Sequence, residues 1–194
     1  FPHGRQEPGV QYEPMFGQGS SEGYIILGID PGLTRCGYAV LQMNSAQDIT
    51  AKALGVIRTP TTNSLPERLG EIHQEIESLL SDYRPHAVAI EQVFFQNNVR
   101  TAMGVGQASG IVLALASRAG CEVAQYTPSQ VKNTVAGWGG ATKDQIGHMV
   151  QQRLHLESAP QPADAADAAA IALCHCSIAP FIASRDAALM RGVK

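Results

Sequence analysis

The stretch Tyr24 to Asp30 (YIILGID) is almost unbroken apolar sequence and ends in a carboxylate. A short apolar run closed by a turn, here Pro31 and Gly32, predicts a central strand buried on both faces. Cys36 to Gln42 and Ala53 to Arg58 read as two more strands, and the short connections favour an antiparallel meander. Leu65, Leu69, Ile72, Ile76 and Leu79 then recur at helical spacing. Ser64 and Glu67 frame the start of that helix as a capping box, with Pro66 in its first turn. After Pro85, Ala87 to Glu91 (AVAIE) predicts a second short buried strand that also ends in a carboxylate.

Gln92 to Asn98 is a polar loop holding Phe94 and Phe95. A helix is expected from about Thr101 to Ala119. Its Gly104, Gly106, Ala108, Ser109 and Gly110 would let another backbone approach closely, with Met103, Ile111, Val112 and Leu115 as apolar surface beside them. A strand over Cys121 to Tyr126, a short helix over Pro128 to Val135, a helix from Thr142 to Leu154 and an alanine-rich helix from Ala163 to Ala179 complete the order. Three antiparallel strands followed by alternating helices and strands predict an α/β fold, a mixed sheet with helices on both faces. The expected organisation is a flexible extension over 1–23, one domain over 24–183 and a tail over 184–194.

Charge adds little. The formal net charge of -3 gives no electrostatic signature of nucleic-acid binding. It is uneven, with 6 Lys+Arg against 11 Asp+Glu up to Asn98 and 8 against 6 from Val99 onward. A carboxylate cluster that holds cations attracts phosphate more than its formal charge implies. No apolar run reaches the roughly 18 residues of a membrane helix. Phe1 to Gly23 lacks the basic start and apolar stretch of a signal peptide. A soluble cytoplasmic protein is the expectation. Cys36, Cys121, Cys174 and Cys176 form no CxxC. Cys174, His175 and Cys176 are consecutive and point to different sides of a helix, so free thiols and a core or capping histidine are expected rather than a zinc site.

The candidate chemistry lies in four carboxylates. Asp30 and Glu91 each end an apolar strand, and they meet if those strands are neighbours. Asp164 and Asp167, three apart on one helix, share a face in its first turns, where the dipole favours anions. Taken singly, each is equally well a turn or helix cap. Together they would repel unless cations sat between them. Hard oxygen donors without Cys or His suit Mg²⁺, or Mn²⁺ in its place. Two such ions can activate water and stabilise the leaving oxygen in phosphodiester hydrolysis.

The segments ILGIDPGLTRCGYAVL, AIEQVFFQNN, GQASG, PSQVKNTVAGWGGATKDQ and PADAADAAAIALCH, in this order, resemble the RuvC-type Holliday junction resolvases. The resemblance runs from about Tyr24 to about Pro180. It implies a ribonuclease H-like fold and a homodimer that cuts two symmetric strands of a four-way DNA junction with Mg²⁺, two ions per site being part of that expectation. It further implies a branch-migration motor as partner. By this resemblance the metal-binding catalytic carboxylates are Asp30, Glu91, Asp164 and Asp167. Phe94 is the wedge at the junction centre, and Lys132 and Lys143 are the functional lysines. Some relatives place His where Asp164 stands. Arg100, beside Asn97 and Asn98, is a further DNA-contact candidate, and Trp138, set among glycines, suits packing or stacking equally.

Three other functions compete with this one. A kinase-like ATPase needs a second domain and a second phosphate loop, and no P-loop or dinucleotide motif is present. A non-cutting junction binder would lack one or more of the carboxylates. A nuclease of the same fold acting on another nucleic-acid structure stays open on residues alone.

Overall fold

The computed structural model describes residues 23–92 and 99–191, with side chains described for 23–92 and 102–180. Five strands form one sheet, β1 (Tyr24–Asp30), β2 (Arg35–Ser45), β3 (Asp48–Arg58), β4 (Ala87–Glu91) and β5 (Glu122–Tyr126), in the order β3-β2-β1-β4-β5. The pairs β1/β2 and β2/β3 are antiparallel, and β1/β4 and β4/β5 are parallel. β2 and β3 are longer than the alternation suggests, because both run on into the tight turn near Ser45 where exposed polar residues end the apolar signal.

The helices are α1 (Leu65–Tyr83), α2 (Val99–Arg118), α3 (Pro128–Ala136), α4 (Lys143–Arg153) and α5 (Ala163–Arg191). α1 and α2 cover one face, closing a core of Leu27, Ile29, Val40, Ile72, Ile76 and Val112. α3, α4 and α5 cover the other, around Ile26, Leu41, Val135, Ile146 and Leu173. Each strand of the centre therefore sends alternate side chains into two cores, which is why β1 and β4 read as unbroken apolar runs.

Two expectations need correction. α5 does not stop at Ala179 but runs through Pro180 to Arg191, so the expected tail from 184 is helical as far as that residue. Proline's fixed φ is compatible with a helix, and the penalty is local. On α2, Val112 and Leu115 are buried in the core rather than on the outer surface. The outward face carries Met103, Gly106, Gln107, Gly110 and Ala114.

Candidate active site

Because β1 and β4 run parallel with Ile29 opposite Ile90, Asp30 and Glu91 leave the same edge of the sheet side by side. Their carboxyls lie close enough that each affects the other's ionisation. Burial, and next the charge of Glu91, followed by Asp167 and Asp164, push the Asp30 carboxyl up to about 8. Glu91 is also raised, mainly by burial.

The second pair comes from α5. Its N-terminal half is alanine-rich, with Ala165, Ala168, Ala169 and Ala172 buried. Glycines on the strands let the backbones touch. A Cβ on Gly28 would meet the Ala168 carbonyl oxygen at 2.4 Å, and one on Gly37 would meet the Asp164 carbonyl oxygen at 2.0 Å. Small residues on both surfaces thus lower the first turn of α5 onto β1 and β2, and bring Asp164 and Asp167 within electrostatic reach of Asp30.

Capping boxes start α3 at Thr127 and Gln130 and α4 at Thr142 and Gln145. The second fixes Lys143 as the first residue of α4, where the helix dipole disfavours a cation. Its compensation is Asp167, whose Oδ2 accepts from Lys143 Nζ at 2.8 Å. That bond, first among its causes, raises the Lys143 pKa. Lys132, half-buried on α3, lies close enough to Glu91 to favour its charged form.

Arg35 is a site residue that the sequence reading missed. Its Nε donates to Asp164 Oδ2 at 2.7 Å, and its Nη2 contacts the same oxygen. The signal was available: Arg35 stands two residues before Gly37 on the same strand face, the face α5 covers. Phe94 lies outside the described residues. Arg100 lies on the first turn of α2, and its side chain is outside those described. Trp138 is 54% exposed, with its ring against the Gly140 backbone.

Among the described residues, no three His, Cys, Asp or Glu side chains stand close enough to grip one metal ion as they are. Asp164 is drawn toward Arg35 and Asp167 toward Lys143. The donor chemistry nevertheless fits a hard divalent cation. Three carboxylates surround the buried acid Asp30, whose ionisation their repulsion opposes, and all four offer only oxygen donors. Cys36 lies within electrostatic reach of Asp30 and Asp164, but it is a fully buried free thiol whose ionisation burial opposes, and Cys174, His175 and Cys176 are core residues of α5.

The family described as crossover junction endodeoxyribonuclease RuvC matches residues 26–175. A protein of that name from Streptomyces avermitilis is 50% identical over 155 residues, covering 80% of this chain and 88% of the relative. The one from Thermobifida fusca is 51% identical over 150 residues, covering 77% and 82%. Among solved structures, T. thermophilus RuvC in complex with Holliday junction substrate superposes with a TM-score of 0.78 at 39% identity, covering 82% of this chain and 97% of that one. The yeast mitochondrial Holliday junction resolvase Ydc2, at 15% identity and a TM-score of 0.60, covers 81% and 80% and shares the fold. The fold is ribonuclease H-like. The chain belongs to the RuvC family of crossover junction endodeoxyribonucleases.

Proposed function

We propose that this protein resolves four-way DNA junctions by divalent-metal-dependent hydrolysis, with Asp30, Glu91, Asp164 and Asp167 as metal-binding catalytic carboxylates. The observation that carries the reading is the convergence of Glu91, Asp164 and Asp167, from β4 and α5, on the buried Asp30 at the end of β1. Mg²⁺ is the proposed ion, two per site, with Mn²⁺ able to replace it. When bound, such ions make an attacking water more acidic and stabilise the leaving oxygen.

The protein's own residues supply the rest. The parallel strand ends hold Asp30 and Glu91 rigidly at one edge, and the close seat of α5 on Gly28 and Gly37 fixes the other two carboxylates. Lys143, already at the site, is placed to steady negative charge on the scissile phosphate. Lys132 and Arg100 take backbone phosphates, which position the DNA without reading its sequence. Phe94 wedges beside unstacked bases at the junction centre. In this reading the nuclease domain spans 24–183, flanked by 1–23 and 184–194. The working form is a homodimer, since a junction offers two equivalent strands. A branch-migration motor is its partner, and the cytoplasm its place. No helix of the described residues is long and apolar enough to cross a membrane.

The test compares cleavage of a synthetic four-way junction, a duplex, a flap and an RNA–DNA hybrid with Mg²⁺ and with EDTA. Symmetric nicking of the junction alone, dependent on Mg²⁺, is the expected result. Equal cutting of the hybrid or duplex would replace the junction reading with that of another same-fold nuclease. Tight junction binding without cutting at any metal concentration would leave a non-cutting binder.

A further inference from the structure

We propose that Arg35 and Arg58 form an arginine pair that binds one DNA backbone phosphate beside the cut site; this rests on the junction-cutting reading. The sheet register places Arg35 on β2 directly opposite Arg58 on β3. Residues directly opposite in an antiparallel pair share a face, and like charges there repel. Both side chains are exposed. An anion between or beside the members of such a pair relieves that repulsion.

Arg35 has one, the Asp164 carboxylate. Arg58 has no carboxylate partner among the described residues. Asp164 is also a candidate metal ligand, so a divalent ion that claims it releases Arg35 toward Arg58. The pair then lacks its internal anion just when the site is ready for substrate. A phosphate answers the need, because the planar guanidinium fork matches its oxygens and stays charged at every working pH.

Position and rigidity agree. Gly37, on the same face of β2 as Arg35, lies under the first turn of α5, so this face leads to the carboxylates. Arg58 sits two strands from β1, roughly 10 Å at ordinary strand spacing, or about three nucleotides of rise along one DNA strand. The strand ends that carry the pair are tied down from α1. Arg68 Nε donates to Thr59 Oγ1 at 2.8 Å and its Nη2 to Thr34 Oγ1 at 2.6 Å, while Thr59 Oγ1 donates to the Leu33 carbonyl at 2.6 Å. Thr34 and Thr59 are the immediate neighbours of Arg35 and Arg58, so the pair rests on a fixed platform.

The experiment measures binding of a fluorescent four-way junction, and of a duplex control, across a salt series with either Ca²⁺ or EDTA. Arg58→Ala should weaken junction binding about 5- to 10-fold and reduce the slope of log affinity against log salt by about 1 in both conditions. Arg35→Ala should reproduce that slope change with Ca²⁺ and show little of it in EDTA, where Asp164 already holds the side chain. Arg58→Lys should restore the slope but not the full affinity. An unchanged slope for Arg58→Ala with Ca²⁺, or an Arg35→Ala effect equal in the two conditions, would overturn the pair. A parent protein with no preference for the junction over the duplex would instead refute the junction reading, and the slopes on duplex would still decide the pair.

Discussion

Asp30 concentrates the tension in this site. An isolated Asp ionises near 3.8, but burial and three neighbouring carboxylates push this one up to about 8. The folded protein therefore holds a proton that the unfolded chain releases. The stability this contributes is fully present below pH 4 and is lost as pH rises through about 8. In EDTA at pH 8.5, Asp30→Asn should melt above the parent by several degrees, on the order of 2 kcal/mol, and the gap should close toward pH 5. Mg²⁺ should raise the parent's Tm and barely move the variant's, while junction cutting by the variant falls about 100-fold or more. Calorimetry across pH, with and without Mg²⁺, checks this; a parent Tm indifferent to Mg²⁺ would remove Asp30 from the metal site.

His175 runs the other way. It is fully buried, its Nδ1 is 2.8 Å from Tyr126 Oη, and its Nε2 has no hydrogen-bond partner among the described residues. Burial lowers its pKa from 6.5. The neutral ring's contribution is full above pH 6.5 and is lost as pH falls through the depressed folded value. His175→Phe should cost about 1–3 kcal/mol at pH 8, through the stranded Tyr126 hydroxyl. That deficit should shrink between pH 7 and pH 5, because the variant has no ring to protonate. A constant deficit across urea melts in that range would show that His175 does not titrate on unfolding.

At the scale of elements, the strands β1 and β4 were legible because each is apolar on both faces and stops at a carboxylate. The capping box of Ser64 and Glu67 marked α1 in the same way, a local pattern with a local cause, and the boxes that open α3 and α4 are patterns of the same kind. What the sequence could not display is how closely α5 lies on the sheet. That depends on Gly28 and Gly37 meeting alanines and backbone more than a hundred residues away, and no local periodicity records it. The Arg35–Asp164 contact was hidden by the same separation. The seat of α5 can be tested with two glycines of opposite surroundings. Gly37→Ala drives a methyl against the Asp164 carbonyl, so it should cost about 1–3 kcal/mol and lower cutting further than the Tm loss explains. Gly70→Ala, inside α1 with open space around it, should gain about 0.5–1 kcal/mol and leave cutting alone. Denaturant melts and single-turnover rates measure both. A Gly37→Ala protein as active and as stable as the parent would mean that the strand–helix approach does not position the carboxylates.

For the whole molecule, one chain presents one carboxylate cluster, whereas a four-way junction has two equivalent strands, so the proposed resolution needs a two-fold partner. The outward face of α2 is the surface suited to it. Met103 is 57% exposed, and Gly106 and Gly110 open onto empty space. Between α1 and α2 lies an open cleft of about 440 Å³ lined by Leu69, Gln107, Gly110, Ile111 and Ala114 among others. A glycine on such a face gives away helix stability unless close approach returns it. Gly110→Glu separates these roles. Within one chain the new side chain meets nothing, so folding should be unharmed, and helix propensity should improve by about 0.5 kcal/mol. Across a two-fold contact the same substitution brings bulk and two like charges together. The parent should sediment as a dimer at micromolar concentration and the variant as a monomer. On a junction held in a supercoiled cruciform, the parent should linearise the plasmid through paired nicks, and the variant should accumulate single nicks. A variant that remains dimeric and still pairs its nicks would move the interface away from this face of α2. A parent that is monomeric yet cuts both strands together would reject the two-fold arrangement itself.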